Sequence, residues 1–422
     1  MGLAVFFLNR RERNGKTFIM TKQAVILAGG RGTRLGPLTR QIPKPLLPIG
    51  GRPFLDHLVW NLSRHGIDDI ILSCGYLGEQ IADHFRGRGE GKVRIRSFIE
   101  STPLGTGGAL RFLAPELADH FFLLNGDSLF DINYLDLPLP SGISADALAT
   151  IALHPVSDAS RYGRVETNGA RIVRFLEKDA HPHPGLIHAG LCWLDRPLVD
   201  RIPDGFSSLE RDLFPLLATE GRLFGKQYGG YFIDIGIPDD YHRADRALLS
   251  WHRRPALFFD RDGVINVDHG YIHTPDQFEW ISGAIQAIRW CNEHGHLVII
   301  VTNQSGIARG LYDDAQFWAL TAWMADELAT RGAHMDAVYY CPHHPSAGMA
   351  PQSCRCRKPH PGLLEQAMSE WDVDRGRSLL IGDKASDLEA AQRAGITGHL
   401  FPGGRLDLFL QEVIHDRPGL IL

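Results

Sequence analysis

The strongest constraint on the fold of this chain is a repeated alternation between short apolar runs and helix-like stretches. The apolar runs cover residues 24–27, 69–73, 121–124, 256–259, 297–301 and 378–381. Such alternation is typical of parallel sheets with helices on both faces. Several runs are followed closely by Gly, Asp, Thr or Asn, and ligands of open α/β sheets bind at the carboxyl ends of the strands. The pattern therefore predicts an α/β fold with its chemistry at those strand ends.

The chain is expected to form two domains. Its 422 residues, 44% of them hydrophobic, are enough for two or three domains that each bury a core. A helix-like run over residues 241–249 gives way to a short stretch that ends in Pro255. Proline disfavours helix in the residue before it, so a joint is expected here. We predict doubly wound domains over residues 23–250 and 255–402, and a C-terminal tail over 403–422.

The first 22 residues are interpreted as an N-terminal extension. Residues 3–8 are apolar, and Arg10, Arg11 and Arg13 follow them. A secretory signal has its positive charges before the apolar stretch, so the order here is reversed. We expect residues 1–19 to result from a wrongly chosen start, with Met20 opening the folded chain.

Charge and hydrophobicity favour a protein that acts on small anionic molecules, and the crowding of three of the six cysteines (Cys341, Cys354 and Cys356) beside His343 favours the cytoplasm. The formal net charge of -5 is spread along the chain without a basic block or an acidic tail, which argues against nucleic acid and membrane surfaces as partners. No apolar run approaches the roughly 18 residues that a membrane span requires. Cys74, Cys192 and Cys291 are isolated and are interpreted as packing residues.

A glycine-rich turn follows the first apolar run, with the sequence Gly29-Gly30-Arg31-Gly32-Thr33-Arg34-Leu35. Backbone N–H groups in such a turn, those of Gly29 and Gly30 included, can approach phosphate oxygens closely. The turn lacks the Lys-Ser/Thr pair of a Walker loop, and Leu35 stands where the dinucleotide-binding pattern has its third glycine. It therefore predicts a phosphate site of another kind.

Further short segments follow this turn in order. They are Pro43-Lys44-Pro45-Leu46, Leu104-Gly105-Thr106-Gly107, Asn125-Gly126-Asp127, Tyr162-Gly163, Glu177-Lys178 and Asp234-Ile235-Gly236. From about residue 23 to residue 241 the chain thereby resembles the sugar-1-phosphate nucleotidyltransferases. The resemblance implies a Rossmann-like domain with a mixed sheet, which joins a nucleotide to a sugar 1-phosphate and releases pyrophosphate.

The reaction brings two anions together, so its site must neutralise charge and align the reactants in line. His188 stands where relatives commonly have asparagine, so a sugar contact at this position stays open. Lys44 as a solvated loop residue and Asp127 as a turn former are the simpler alternatives. The resemblance implies that Asp127 and Asp234 bind Mg²⁺, that Arg34 binds the triphosphate and the pyrophosphate, and that Lys44 contacts the reacting phosphates. It also implies that Gly105 supports the base. The sugar and its phosphate would be contacted by Gly163, Glu177 and Lys178.

The fourth apolar run leads into Asp260-Arg261-Asp262-Gly263. At period two, the carboxylates of Asp260 and Asp262 project to one side of the extended chain. This placement suits a nucleophile and an acid/base that act on one phosphate, although a simple Asp-x-Asp-Gly turn is the alternative. A calcium loop is excluded because no glutamate stands at the twelfth position.

Four potential metal ligands are Cys341, His343, Cys354 and Cys356. Three thiolates and one imidazole make the closed tetrahedral set that zinc prefers in structural sites. The adjacent His344 is an alternative ligand. A disulfide is disfavoured because cysteines two apart cannot easily bridge each other and the context looks reducing. No basic recognition helix follows, which argues against a nucleic-acid zinc finger.

The segments Thr302-Asn303-Gln304-Ser305, Arg357-Lys358-Pro359 and Gly382-Asp383-Lys384-x-x-Asp387 complete this pattern. With them, the C-terminal half resembles the haloacid dehalogenase-like phosphatases, which implies a Rossmannoid domain without a large cap. In that family pattern, Asp260 attacks phosphorus to form an aspartyl-phosphate, and Asp262 protonates the leaving alcohol and later activates water. The other implied roles are stabilisation of the transferring group by Thr302 and Lys358, and Mg²⁺ ligation by Asp383, the Asp260 carboxylate and the Asp262 carbonyl.

Over residues 256–402 the chain is similar to the D-glycero-D-manno-heptose 1,7-bisphosphate 7-phosphatases, with histidinol-phosphate phosphatase as the alternative. The segment Asp268-His269-Gly270-Tyr271 favours the heptose interpretation. The substrate contacts that this similarity implies are Asp268, His269, Gly270, Tyr271, Asn303, Gln304, Ser305, Arg357 and Lys384.

Together the two resemblances predict a bifunctional enzyme of nucleotide-sugar biosynthesis. It would remove the 7-phosphate of the heptose bisphosphate and then transfer a nucleotide, from GTP by family analogy, to give an activated heptose for surface polysaccharide. One alternative is a phosphatase that carries a non-catalytic, nucleotide-sugar-binding regulatory domain. Another is a nucleotidyltransferase for a different sugar 1-phosphate. The presence of Arg34, Lys44, Asp127 and Asp234 argues against the regulatory alternative, because binding alone does not require both metal carboxylates.

Overall fold

Two separate α/β units make up the chain, one extending to Ser250 and the other beginning at Trp251. The structure is a computed structural model and describes residues 22–88, 93–139, 146–160, 162–176, 181–344 and 354–415. Glu177, Lys178 and most of the N-terminal extension lie outside the described residues. None of the described helices is long and apolar enough to cross a membrane.

The N-terminal unit is built around a nine-stranded mixed sheet in the order β5-β4-β1-β6-β11-β8-β12-β10-β9. Its strands are β1 (Gln23–Ala28), β2 (Pro48–Ile49), β3 (Arg52–Pro53), β4 (Asp69–Cys74), β5 (Arg94–Ile99), β6 (His120–Asn125), β7 (Ser128–Asp131), β8 (Ala149–Val156), β9 (Arg164–Asn168), β10 (Arg171–Leu176), β11 (Gly185–Asp195), β12 (Leu223–Gln227) and β13 (Tyr231–Asp234). Its α-helices are α1 (Phe54–Arg64), α2 (Gly78–Phe85), α3 (Gly105–Phe112), α4 (Phe214–Thr219) and α5 (Pro238–Leu248).

The direction of the strands explains where the first site forms. Strand β1 pairs in parallel with β4 and β6, whereas β11 runs antiparallel to β6. Strands β1 and β4 are almost wholly buried, as expected for apolar runs in the middle of a parallel sheet. Parallel and antiparallel pairings occur in one sheet, so the predicted mixed α/β sheet is confirmed. The carboxyl ends of β1 and β6 meet at one edge of this sheet and carry Gly29 and Asn125.

The C-terminal unit contains a five-stranded parallel sheet in the order β16-β15-β14-β17-β18. Its strands are β14 (Ala256–Phe259), β15 (Leu297–Asn303), β16 (Ala337–Cys341), β17 (Leu379–Gly382) and β18 (Thr397–Leu400). Its α-helices are α6 (Ala284–Glu293), α7 (Asp314–Ala329), α8 (Gly362–Glu370), α9 (Ala385–Ala394) and α10 (Leu406–His415). The doubly wound prediction is confirmed here as well, since the α-helices alternate with parallel strands.

Helix α10 belongs to the core of this unit. Leu406, Leu410, Val413 and Ile414 are buried in one cluster with strand residues such as Leu257. The segment expected as a tail from residue 403 therefore contributes to the packed core as far as Ile414. Residues 416–422 lie outside the described residues.

Candidate active sites

The carboxyl ends of β1 and β6 border a cavity of about 590 Å³ in the N-terminal unit. Gly105, which begins α3, has a φ of 74°, and a Cβ there would lie 2.4 Å from the carbonyl oxygen of Ser207. Only glycine fits this position without a shift of the backbone. The predicted site residues that line the cavity are Gly29, Gly30, Lys44, Gly105 and Asp127.

Lys44, Asp127 and Asp234 meet at one end of this region. Lys44 is only 6% exposed, and its Nζ lies 2.6 Å from Oδ2 of Asp127. Pairing of β13 with β7 sets Asp234 opposite Ser128, whose hydroxyl donates to Asp127 at 3.3 Å and to Asp234 at 3.4 Å. Lys44 is therefore a buried member of a charged cluster and not a solvated loop residue.

Electrostatics in this cluster favour the binding of a cation. Burial raises the pKa of Asp234, and the neighbouring Asp127 carboxylate raises it further, while Lys44 and Arg34 oppose the shift. Two close carboxylates are the oxygen ligands that Mg²⁺ uses in phosphate sites. Arg34 itself is exposed. The arrangement can hold a metal ion and place a cationic side chain beside bound phosphates.

The structure does not bring every predicted sugar contact to this cavity. Gly163 is not among the residues that line it. His188 has its Nε2 3.2 Å from Sγ of Cys192, and burial lowers the pKa of this imidazole. The histidine at the asparagine position thus pairs with a thiol of its own strand.

Glu100 is a cavity residue that the sequence interpretation did not single out. It directly follows β5, its Oε2 accepts a hydrogen bond from the backbone N–H of Leu104 at 3.3 Å, and it lines the cavity. Burial raises the pKa of its carboxyl. Its position just before the Pro-Leu-Gly-Thr-Gly segment was the available signal.

In the C-terminal unit, Lys358 joins two buried carboxylates. Its Nζ lies 2.9 Å from Oδ1 of Asp260 and 2.7 Å from Oδ1 of Asp387, and the lysine is 3% exposed. Burial raises the pKa of Asp260 to about 6, although Lys358 opposes the shift. Asp387, in the first turn of α9, belongs to the motif that begins at Gly382, but the sequence analysis gave it no role at the site.

Asp260, Asp383 and Asp387 form a group that could hold a metal ion. Their carboxylate oxygens lie within 4.8 Å of one another. Gly263 has a φ of 90°, and a Cβ there would come within 2.4 Å of Oδ2 of Asp383. The glycine after the two aspartates is therefore required for Asp383 to approach the end of β14.

Asp262 points its carboxylate at protein donors. Arg261, 1% exposed, donates from Nε and Nη2 to Oδ1 at 3.2 and 3.0 Å. Asn266 donates to the same oxygen at 3.1 Å, and Gln304 donates to Oδ2 at 3.0 Å. Neighbouring side chains thus hold both oxygens of the predicted acid/base.

Two of the expected substrate contacts have protein partners instead. Asn303 donates to the carbonyl of Lys358 at 3.2 Å and accepts the N–H of Lys358 at 3.1 Å, so it holds the backbone of that lysine. Gln304 is 2% exposed, with its amide enclosed by protein groups. The expected side-chain contact with substrate at Gln304 is therefore not available, because the side chain turns into the core beneath the site.

The other expected contacts lie on loops at the same sheet edge. Lys384 pairs with Asp268 at 3.3 Å and with Asp383 at 3.4 Å. Asp268 also accepts the N–H of Gly270 at 3.0 Å. His269 lies 3.1 Å from the Glu279 carboxylate. Ser305 is half-buried directly after Gln304.

Arg309 links three of these loops and was not predicted. Its guanidinium lies 5.9 Å from the centre of the half-exposed Tyr271 ring and donates to Nε2 of His344 at 2.9 Å. Arg357 donates to the carbonyl of His343 at 3.1 Å. Within the described part of the chain, neither guanidinium contacts a carboxylate, so both remain able to bind an anion.

The cysteine-histidine group is assembled as predicted from spacing. The ligand atoms of Cys341, His343, Cys354 and Cys356 lie within 4.8 Å of one another. Nδ1 of His343 is 3.2 Å from Sγ of Cys354 and 3.3 Å from Sγ of Cys356. His344 is instead engaged by Arg309. The group could hold a metal ion, and it lies directly before Arg357 and Lys358.

Comparisons with known proteins find relatives for both units. The nucleotidyl transferase family model matches residues 23–250, and the HAD-hydrolase-like model matches residues 355–413. The chain is 50% identical over 144 residues to the D-glycero-beta-D-manno-heptose-1,7-bisphosphate 7-phosphatase of Yersinia pestis, covering 34% of this chain and 77% of that protein. To the protein of the same name from Pasteurella multocida it is 49% identical over 178 residues, covering 40% and 97%. The crystal structure of HddC from Yersinia pseudotuberculosis is 33% identical, covers 54% of this chain and 99% of that chain, and aligns with a TM-score of 0.48.

Proposed function

Because the chain belongs to the nucleotidyl transferase family over residues 23–250 and to the family of the heptose-bisphosphate 7-phosphatases, we propose that this bifunctional enzyme performs two consecutive steps. It removes the 7-phosphate of D-glycero-D-manno-heptose 1,7-bisphosphate and then transfers a nucleotide to the heptose 1-phosphate that remains. The observation that carries the proposal is the presence, in one chain, of two separate clusters in which a buried lysine meets carboxylates.

In the phosphatase step, Asp260 attacks the phosphorus of the 7-phosphate. The bond from phosphorus to the sugar oxygen breaks, and Asp262 gives its proton to the departing alcohol. Water, deprotonated by Asp262, then releases inorganic phosphate from the aspartyl-phosphate. Lys358 favours the ionised form of Asp260 and, with Thr302, stabilises the charge that shifts onto the phosphoryl oxygens.

The carboxylates of Asp260 and Asp383 and the carbonyl of Asp262 would hold Mg²⁺, which would neutralise phosphate charge when bound. Asp387 holds Lys358 from its other side at 2.7 Å. The cysteine-histidine group would hold a structural Zn²⁺, because three thiolates and an imidazole fill a tetrahedral site and leave no position for substrate.

The second phosphate of the substrate requires cations of its own. Lys384 is already neutralised by Asp268 and Asp383. Arg309 and Arg357 contact only uncharged protein groups or a histidine within the described residues, and guanidinium groups bind phosphate through paired N–H donors. We assign the 1-phosphate to these two arginines.

In the transfer step, an oxygen of the sugar 1-phosphate attacks the α-phosphorus of a nucleoside triphosphate and pyrophosphate departs. Lys44 neutralises the reacting phosphates, and Arg34 binds the triphosphate and the leaving pyrophosphate. Asp127 and Asp234 would hold Mg²⁺, which would offset the charge of both anions.

The nucleotide is proposed to be GTP, and Glu100 supports this choice. Guanine presents two neighbouring donors, N1–H and the N2 amino group, and a carboxylate accepts two parallel hydrogen bonds. Glu100 lines the cavity together with Gly105, the residue expected under the base. Other common bases do not offer such a pair of donors on one edge.

Simultaneous measurement of phosphate and pyrophosphate tests the whole proposal. The purified chain is supplied with Mg²⁺, heptose 1,7-bisphosphate and one nucleoside triphosphate at a time, with histidinol phosphate as a competing substrate. We expect phosphate in every reaction and pyrophosphate with GTP. Phosphate without any pyrophosphate, also when other sugar 1-phosphates replace the heptose, would instead support a regulatory N-terminal domain. Pyrophosphate only with such a replacement would support the other alternative.

A further inference from the structure

Beneath the phosphatase site, a buried chain of hydrogen bonds leads from Tyr312 through Gln304 to Asp262. The Tyr312 hydroxyl donates to Oε1 of Gln304 at 2.5 Å. Nε2 of Gln304 donates to Oδ2 of Asp262 at 3.0 Å and to the hydroxyl oxygen of Thr302 at 2.8 Å. We propose that Tyr312 and Gln304 are positioning residues for the acid/base Asp262, an inference that rests on the proposed role of Asp262.

The Tyr312 hydroxyl and the Asp262 carboxylate together fix the direction of the Gln304 amide. An amide has an acceptor end and a donor end, and only the donor end can bind a carboxylate. Because the Tyr312 hydroxyl engages Oε1, the NH₂ end faces Asp262 and Thr302. Without that hydroxyl, a reversed Gln304 would place its oxygen against the carboxylate, which is repulsive, and a buried acceptor would lose its partner.

Tyr312 is itself held firmly. It is 5% exposed, and its ring stacks on His273 with centres 5.1 Å apart and planes 8° from parallel. A Cβ at Gly306 would lie 2.1 Å from the Tyr312 ring, so the glycine allows the ring to pack against the loop that follows β15. Burial raises the pKa of Tyr312 to about 12, which keeps the phenol protonated as a donor at neutral pH.

Gln304 also couples the acid to the phosphate-binding side. Arg261 and Asn266 donate to Oδ1 of Asp262, and Nη2 of Arg261 also donates to Oδ2 at 3.1 Å. Arg261 is anchored by the carbonyl of Ile272 at 2.9 Å. Gln304 is the residue that joins Oδ2 to Thr302, which belongs to the proposed phosphoryl site. Its two bonds therefore fix the acid relative to the group whose alcohol it protonates.

The test is Tyr312→Phe in the full-length chain, with two phosphatase substrates. With heptose bisphosphate, whose alcohol must be protonated as it leaves, we expect kcat to fall about 10-fold at unchanged KM. With p-nitrophenyl phosphate in single-turnover phosphoryl transfer, we expect less than about a 2-fold change, because nitrophenolate leaves without a proton. Tyr339→Phe, which removes another buried tyrosine hydroxyl that bonds to Glu370, is the matched control and should change neither rate.

Equal losses with both substrates, or no loss with either, would overturn the positioning role. An unchanged thermal transition of the C-terminal unit, followed by tryptophan fluorescence, shows that the variant is folded. If it does not fold, Gln304→Glu makes the same test, because it keeps the side-chain shape but places a carboxylate against Asp262. Asp262→Asn separates the two levels of the hypothesis. If Asp262→Asn keeps full turnover, the proposed role of Asp262 fails together with this inference. If Asp262→Asn loses turnover but Tyr312→Phe is unaffected, this inference alone is overturned.

Discussion

Replacement of the nucleophile Asp260 by asparagine is expected to stop phosphate release and, at the same time, to stabilise the C-terminal unit. Asp260 is 6% exposed, and burial raises its pKa to about 6. The ordinary value of an aspartate is about 3.9, and one pKa unit corresponds to about 1.4 kcal/mol. The ionised carboxylate therefore destabilises the fold by about 3 kcal/mol. Asparagine has nearly the same shape without the charge, so Asp260→Asn removes this penalty.

The gain in stability has a defined dependence on pH. A carboxyl group whose pKa is raised by folding binds its proton more tightly in the folded chain than in the unfolded chain. The contribution of Asp260 to the stability of the wild type is therefore highest below the unfolded value of about 4 and is lost as pH rises through the folded value of about 6. The gain in unfolding free energy from Asp260→Asn should therefore be complete above about pH 6 and absent below about pH 4.

Urea unfolding in magnesium-free buffer, followed by tryptophan fluorescence, measures this difference. Of the 8 tryptophans, all but Trp60 and Trp193 lie at or beyond Trp251, so the signal reports mainly on the C-terminal unit. Asp276→Asn changes an exposed carboxylate and should alter the free energy of unfolding by less than about 0.5 kcal/mol.

Activity gives the second half of this experiment. Asp260→Asn should abolish phosphate release and leave nucleotidyl transfer to supplied heptose 1-phosphate intact, since the two sites are separate. The burial argument would be refuted if the variant were no more stable than the wild type at about pH 8. It would also be refuted if the stability gain at about pH 4 were as large as at about pH 8. Loss of both activities would contradict the independence of the sites.

Three further substitutions test the remaining assignments. Cys354→Ser should lower the zinc content measured by atomic spectroscopy and reduce the stability of the C-terminal unit alone; a zinc-free but fully active and stable chain would contradict this. Glu100→Gln should lower kcat/KM for GTP, measured by pyrophosphate release, by about 10- to 100-fold, because the amide offers one acceptor fewer to guanine. An unchanged preference among nucleotides would exclude Glu100 as the base contact. Arg309→Ala should raise KM about 10-fold for heptose bisphosphate but leave KM for p-nitrophenyl phosphate unchanged, since that substrate has no second phosphate; equal effects on both would remove the assigned subsite.

The fold could be predicted well from local patterns. Continuous apolar runs at residues 24–27 and 297–301 lie inside β1 and β15, because strands buried on both faces admit few polar residues. The antiparallel placement of β11 beside β6 was not readable, since strand order depends on long-range hydrogen bonds. The extent of the C-terminal core was underestimated, although Leu406, Leu410 and Val413 already show helical spacing.

By itself, the amino-acid sequence determined the chemistry available at each site. Short spacings such as Cys354-x-Cys356 and Asp260-x-Asp262 place ligands or carboxylates within reach of one another whatever the rest of the chain does. Residue type then limits what those groups can bind or transfer.

Only the tertiary structure decided which side chains share a site and which support it. Lys44 reaches Asp127 across 83 residues, and Lys358 meets Asp387 through the packing of α9 against the sheet. It also turned Gln304 inward toward Asp262, where a substrate contact was expected. Such partners are chosen by burial and strand order, because a side chain removed from water must find its hydrogen bonds among whatever groups the fold brings beside it.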